Sequence, residues 1–74
     1  MNQSESYTFN QLNGAVNYCT PYDLQQSKDE EGKTIYLLID SYGEQDGDPF
    51  YDLIDVEDYI CNNNEVNDYL MELN

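Results

Sequence analysis

The apolar positions of this chain change period as they run from the N-terminus to the C-terminus. Phe9, Leu12, Ala15, Val16 and Cys19 recur at three- and four-residue steps, the spacing of one helix face, and Thr8 stands before them as an N-cap. Gly14 weakens that helix by about 1 kcal/mol relative to Ala. Thr20-Pro21 ends it, because a residue preceding proline is biased out of the helical region. Residues 1–7, MNQSESY, show no apolar spacing and predict a loose start. Tyr22 to Ser27 alternates weakly, and Thr34 to Ile39 (TIYLLI) is the strongest strand signal, rich in β-branched and aromatic residues. The charged KDEEGK between them holds one glycine, which predicts a hairpin connection and an antiparallel pair.

After Ile39, two glycines and a proline in DSYGEQDGDP mark a loop or wide turn. Phe50 to Ile54 then reads as a third strand, in preference to a helical first turn opened by Asp48 and Pro49. The C-terminal segment predicts helix. Asp55 is its candidate N-cap, Glu57 and Asp58 sit in its first turn, and Val56, Tyr59, Ile60, Val66, Tyr69, Leu70 and Leu73 keep one phase. Asn62-Asn63-Asn64 interrupts that phase, and Asn62 with Glu65 three residues on resembles a capping box, so one kinked helix or two short ones fit. As one helix, it would carry Asp58, Glu65, Asp68 and Glu72 on a stripe opposite Val56, Ile60, Val66 and Leu70. No internal repeat is visible. The fold class is α+β: a small α-β-β(-β)-α domain, an antiparallel hairpin or three-stranded sheet packed by an N-terminal and a C-terminal helix.

Seventy-four residues make a single domain, 1–74, with a small core. Eight tyrosines and 14 % aromatics argue for folding over a disordered acidic tail, which is poor in such residues. Cys19 and Cys61, in a chain without a signal peptide, read as reduced thiols. No apolar run approaches the roughly 20 residues of a membrane span and no polybasic anchor exists, which predicts a soluble cytoplasmic protein with no membrane partner.

Charge changes the picture most. The chain has 16 carboxylates against two lysines, a net charge of −14. Eight of the carboxylates fall in the nineteen residues from Asp40 to Asp58, and no basic residue follows Lys33. Such a surface repels phosphates, so direct nucleic-acid binding is excluded, whereas a basic protein surface is attracted. Ordinary surface helices intersperse both signs and gain from the pairs; this chain forgoes that gain.

Other chemistry finds little support. An EF-hand frame starting at Glu44 puts Pro49 where glycine is required and Asp55 at the end, and one starting at Asp40 puts Gln45 and Tyr51 at those places. There is no histidine, no phosphate-binding glycine loop and no Cys-x-x-Cys. Carboxylate pairs alone serve glycoside hydrolysis, but a domain this small lacks room for a sugar cleft. The chain therefore predicts a non-enzyme with no cofactor and no metal.

A folded monomer of this mass exposes roughly 4,700 Å², so the net charge spread evenly gives about one charge per 330 Å². B-DNA carries about one per 110 Å². If the eight acids of 40–58 share roughly a third of the surface, local density rises to about one per 200 Å², within twofold of a duplex.

In size, acidity and α-β-β(-β)-α order the chain resembles small acidic inhibitors of bacteriophages and mobile elements: anti-CRISPR proteins, antirestriction proteins and uracil-DNA glycosylase inhibitors. The likeness covers the whole chain and rests on no diagnostic motif. It implies a DNA-mimicking inhibitor acting in the bacterial host cell, an anti-CRISPR that occupies the PAM-reading or DNA-holding surface of a CRISPR-Cas effector, or the basic surface of another DNA-binding enzyme. Asp40, Glu44, Asp46, Asp48, Asp52, Asp55, Glu57 and Asp58 would then stand in for phosphates. Tyr42, Phe50 and Tyr51 lie among them as aromatic contacts, with Phe50 equally a core residue. The alternative is an acidic adaptor or antitoxin that binds a basic protein without copying DNA.

Overall fold

A computed structural model describes residues 7–73, with the elements α1 (Phe9–Cys19), β1 (Asp23–Lys28), β2 (Thr34–Ile39), α2 (Leu53–Ile60) and α3 (Asn64–Glu72). The loose start expected over 1–7 lies outside the described residues except at Tyr7, which packs against the core. Thr8 caps α1 through a reciprocal box: its Oγ1 accepts from the Gln11 N–H at 3.2 Å, and Gln11 Oε1 accepts from the Thr8 N–H at 2.9 Å. At the other end the Val16 carbonyl accepts both the Thr20 N–H at 2.9 Å and the Thr20 hydroxyl at 2.6 Å, which closes the last turn.

The strands pair antiparallel from Asp23 opposite Ile39 to Lys28 opposite Thr34. Leu24 and Leu38 face each other on the rung next to the Asp23 end, and with Tyr36 they turn toward the helices. Ile35, Leu37 and Ile39 occupy the opposite face. Asn13 ties α1 to the sheet, its Oδ1 accepting the Leu24 N–H at 3.1 Å.

Two turns bracket β2, and they are built alike. In Asp29–Lys33 the Gly32 N–H donates to the Asp29 carbonyl (3.0 Å), the Asp29 N–H to the Lys33 carbonyl (2.9 Å), and Asp29 Oδ1 accepts from the Glu31 and Lys33 N–H groups. In Asp40–Glu44 the same bonds recur: Gly43 N–H to the Asp40 carbonyl (3.0 Å), Asp40 N–H to the Glu44 carbonyl (2.8 Å), and Asp40 Oδ1 accepting from Tyr42 and Glu44. Gly32 and Gly43 adopt φ of 84° and 83°, where a side chain would be strained. The D-x-x-G turn is thus a short repeat within a chain whose sequence shows none at larger scale.

The second turn starts a third strand that does not develop. Gln45 bridges Ile39 and Phe50 bridges Tyr36, so three steps along β2 face five steps of the returning chain. The two surplus residues bulge out around Gly47 (φ 81°), and Pro49 has no N–H to offer the ladder. The strand expected over Phe50–Ile54 is therefore one bridge at Phe50; Leu53 and Ile54 already belong to α2. The helix gains because it places Val56 and Ile60, one turn apart on a single face, in the core.

Asp52, not Asp55, occupies the α2 N-cap, and its side chain makes no capping hydrogen bond. Of the two C-terminal readings the structure takes two short helices. Asn63, not Asn62, caps α3, with Oδ1 accepting from Glu65 N–H (2.9 Å) and Val66 N–H (3.4 Å). Asn62 instead closes α2, its Nδ2 donating to the Asp58 and Tyr59 carbonyls at 3.3 Å. The break separates Asp58 from Glu65, Asp68 and Glu72, so the continuous acidic stripe of a single helix is not formed. The apolar phase survives it. Leu12, Ala15, Val16, Leu24, Leu38, Val56, Ile60, Val66 and Leu70 form one buried cluster, ringed by Phe9, Tyr22, Tyr36, Phe50, Leu53 and Tyr69.

Candidate partner-binding site

The two lysines lie at one end of the hairpin. Lys28 and Lys33 flank the first turn among Asp29, Glu30 and Glu31, leaving that tip with a net charge of −1, and Lys33 meets Glu31 at 3.5 Å in the ion pair found among the described residues. The other end of the ladder is five residue steps away, about 17 Å. There Asp40, Glu44 and Asp46 stand at or just beyond the second turn with Asp23 on the last rung, and no basic side chain accompanies them.

Of the ten residues expected to meet a partner, Tyr42, Glu44, Asp46, Asp48, Tyr51, Asp52, Asp55 and Asp58 are exposed, and Asp40 and Glu57 are half-buried. Their placement is a band, not a single cluster. It leaves the Asp40 turn, follows the β2 edge through Glu44, Asp46 and Asp48, reaches Tyr51 beside the hairpin tip, and returns along α2 through Asp52, Asp55, Glu57 and Asp58. Alternation would put Glu44, Asp46 and Asp48 on one face of an extended strand, but the left-handed Gly47 breaks the pleat between the last two.

The residues differ in what holds them. Asp40 spends one oxygen on the turn, so its carboxylate is first a structural acceptor. Asp55 lies in the first turn of α2, where its charge complements the macrodipole. Tyr42 is 88 % exposed and Tyr51 62 %, both free to be covered by a partner. Phe50 is half-buried, with its ring centroid 5.5 Å from that of Tyr59, and belongs to the core margin.

Asp46, although exposed, also borders the helices. Hydrogen bonding to Asp46, followed by the charge of that carboxylate, pushes the Tyr22 phenol above its ordinary value. The two side chains share the rim of a cleft of about 370 Å³. Val16, Leu38, Ile60 and Val66 form its apolar wall, and Thr20, Tyr59, Asn62 and Asn63 complete the rim. Nearby, burial and then Glu65 raise the Cys19 thiol, while burial and then Glu57 and Asp58 raise that of Cys61. Both cysteines are free thiols.

Sequence reasoning named Asp46 in this cleft and missed Tyr22, Tyr59, Asn62 and Asn63. The triple asparagine was a signal for a helix break, but it carried no sign that the break would face residue 46. Among the described residues no group of three or more His, Cys, Asp or Glu is placed to hold a metal ion, and no helix is long and apolar enough to cross a membrane. Comparison with known protein families, curated proteins and solved structures finds no match.

Proposed function

We propose that this chain is a DNA-mimicking inhibitor that occupies the basic DNA-binding surface of a bacterial defence nuclease, in the manner of an anti-CRISPR acting on the PAM-reading surface of a CRISPR-Cas effector. One observation carries the reading: the acids from Asp40 to Asp58 lie together on the surface band of the returning edge and α2, with both lysines confined to the hairpin tip. Self-repulsion in such a band destabilises the free domain, and a cationic groove relieves it. A groove built for a duplex presents arginines and lysines at high density, the countercharge this surface lacks. Tyr42 and Tyr51 add aromatic area within the band, which contributes specificity that long-range charge does not.

Capture of a target from bacterial lysate at two ionic strengths, followed by competition with the target's duplex, tests the reading. Binding should weaken steeply with salt, and DNA should displace the inhibitor. The double variant Asp46→Asn, Asp48→Asn should lose at least tenfold more affinity than Glu30→Gln, Glu31→Gln at the hairpin tip, although both remove two charges. Binding insensitive to salt, or a complex that holds inhibitor and DNA together, would replace mimicry with an adaptor or antitoxin role.

A further inference from the structure

Resting on that reading of the acidic band as a partner surface, we propose that the cleft between α1, β2 and the α2–α3 corner is a receptor for a single arginine side chain of the partner. Its wall and rim match the two halves of that side chain. Val16, Leu38, Ile60 and Val66 offer apolar surface to an aliphatic stem, and Asp46 stands at the rim as carboxylate for the guanidinium. Asp46 shares the cleft with Tyr22, and its carboxylate offers roughly four acceptor positions to a guanidinium.

The backbone favours a cation at the same place. The last turns of α1 and α2 both end on this cleft, at Thr20 and at Ile60 to Asn62, and neither contains a basic residue. Each helix end contributes roughly half a negative charge. The N-terminus of α3 opposes them with roughly half a positive charge, and its first N–H groups are already taken by Asn63 Oδ1. With Asp46 the sum is about −1.5. Asn62 donates its amide N–H groups to the α2 carbonyls and so keeps its side-chain oxygen as a further acceptor.

Arginine fits better than lysine for two reasons. Tyr22 and Tyr59 both border the cleft, and a planar guanidinium stacks on such rings while donating in its own plane. An ammonium is more strongly hydrated and loses more on entering a site whose walls are largely apolar. Arginine is also the charged residue enriched at the centres of interfaces.

The test needs no partner. The isotope-labelled 74-residue chain is titrated at fixed ionic strength with N-acetyl-arginine amide, and in parallel with the lysine and norleucine amides, following backbone amide resonances. The arginine probe should move Thr20, Tyr22, Asp46, Asn62 and Asn63 along a saturating curve, with the lysine probe at least threefold weaker and norleucine without effect. Asp46→Asn should weaken the arginine curve tenfold, and Glu30→Gln, which removes the same charge at the hairpin tip, should leave it within twofold. The dispersion of the spectra reports that both variants are folded. Shifts spread evenly over the acidic surface, equal response to lysine, or indifference to Asp46→Asn would overturn the proposal. Such a failure leaves the DNA-competition result standing, and a site that binds arginine while DNA and the chain occupy a target together would separate the two in the other direction.

Discussion

The turns at 29–33 and 40–44 share one backbone design and part company in everything that follows it. In both, an aspartate accepts two N–H groups of its own turn and a glycine three residues later takes the left-handed conformation. The first leads from one full strand into another, carries two lysines on its flanks and closes six paired residues. The second has Glu44 where the first has Lys33, makes one bridge beyond its closing pair, and then bulges. Local turn chemistry is thus indifferent to charge and to what the outgoing chain does. The ladder after Lys33 continues because Thr34 to Ile39 is apolar and β-branched; after Glu44 the next residues are Gln, Asp, Gly, Asp and Pro, which bury nothing and cannot all pair.

The largest effect that bears on this comparison comes from the strand both turns hold. Leu38 is buried, and the Asp46 N–H donates to its carbonyl. Leu38→Ala should cost about 2–5 kcal/mol in urea unfolding, a large share of the stability of a domain this size. The same change would also enlarge the cleft beneath Asp46. A cost under about 1 kcal/mol would show that the hairpin is not the shared support of the two turns.

Removing the turn aspartates separates the two regions more finely. Asp29→Ala should destabilise by about 1–3 kcal/mol, since two charge-assisted bonds to backbone N–H groups are lost. Asp40→Ala loses the same bonds but also relieves repulsion among Glu44, Asp46 and Asp23 and disturbs a shorter ladder. Its cost should be smaller, and added salt should narrow the gap. Equal costs at low and high salt would mean that crowding of charge at the second turn has no energetic consequence.

The smallest effect lies at alkaline pH. Tyr22 binds its proton more tightly in the folded chain than in the unfolded one, because its hydroxyl donates to Asp46. The folded state therefore holds more protons, and this contribution is complete below the ordinary phenol value of 10.0 and falls as pH rises through the elevated one. Cys19 and Cys61 act in the same direction from the ordinary thiol value of 9.0. Stability should decline from pH 9 upward, and Tyr22→Phe should flatten only the part above pH 10. An unchanged slope in that variant would deny the Tyr22–Asp46 bond and weaken the link between the second turn and the cleft.

Much of the fold was legible because its signals are local. Thr8 as an N-cap, the apolar spacing through Val16 and the β-branched run at 34–39 each act within one or two turns of chain, and the hairpin followed from a glycine in a charged connection. The strand read as Tyr22–Ser27 lies one residue further on, at Asp23–Lys28, because register is set by the partner strand. Phe50 to Ile54 misled for a related reason: five residues with only Asp52 polar suit either period, and the choice was made by whether Val56 and Ile60 would reach the core.

By itself the sequence determined the sign and size of the charge, the hairpin connection before Thr34, the extent of α1 and the apolar phase of the C-terminal helices, since each depends on neighbours a few residues apart. Tertiary structure decided that the third strand would stop at a bridge, that Asn63 would open a separate helix, and that Asp46 and Tyr22 would border one apolar cleft. Those outcomes join residues 16 to 66 across several elements, and they depend on the phase of a bulge and the packing of three helices, which no local spacing encodes.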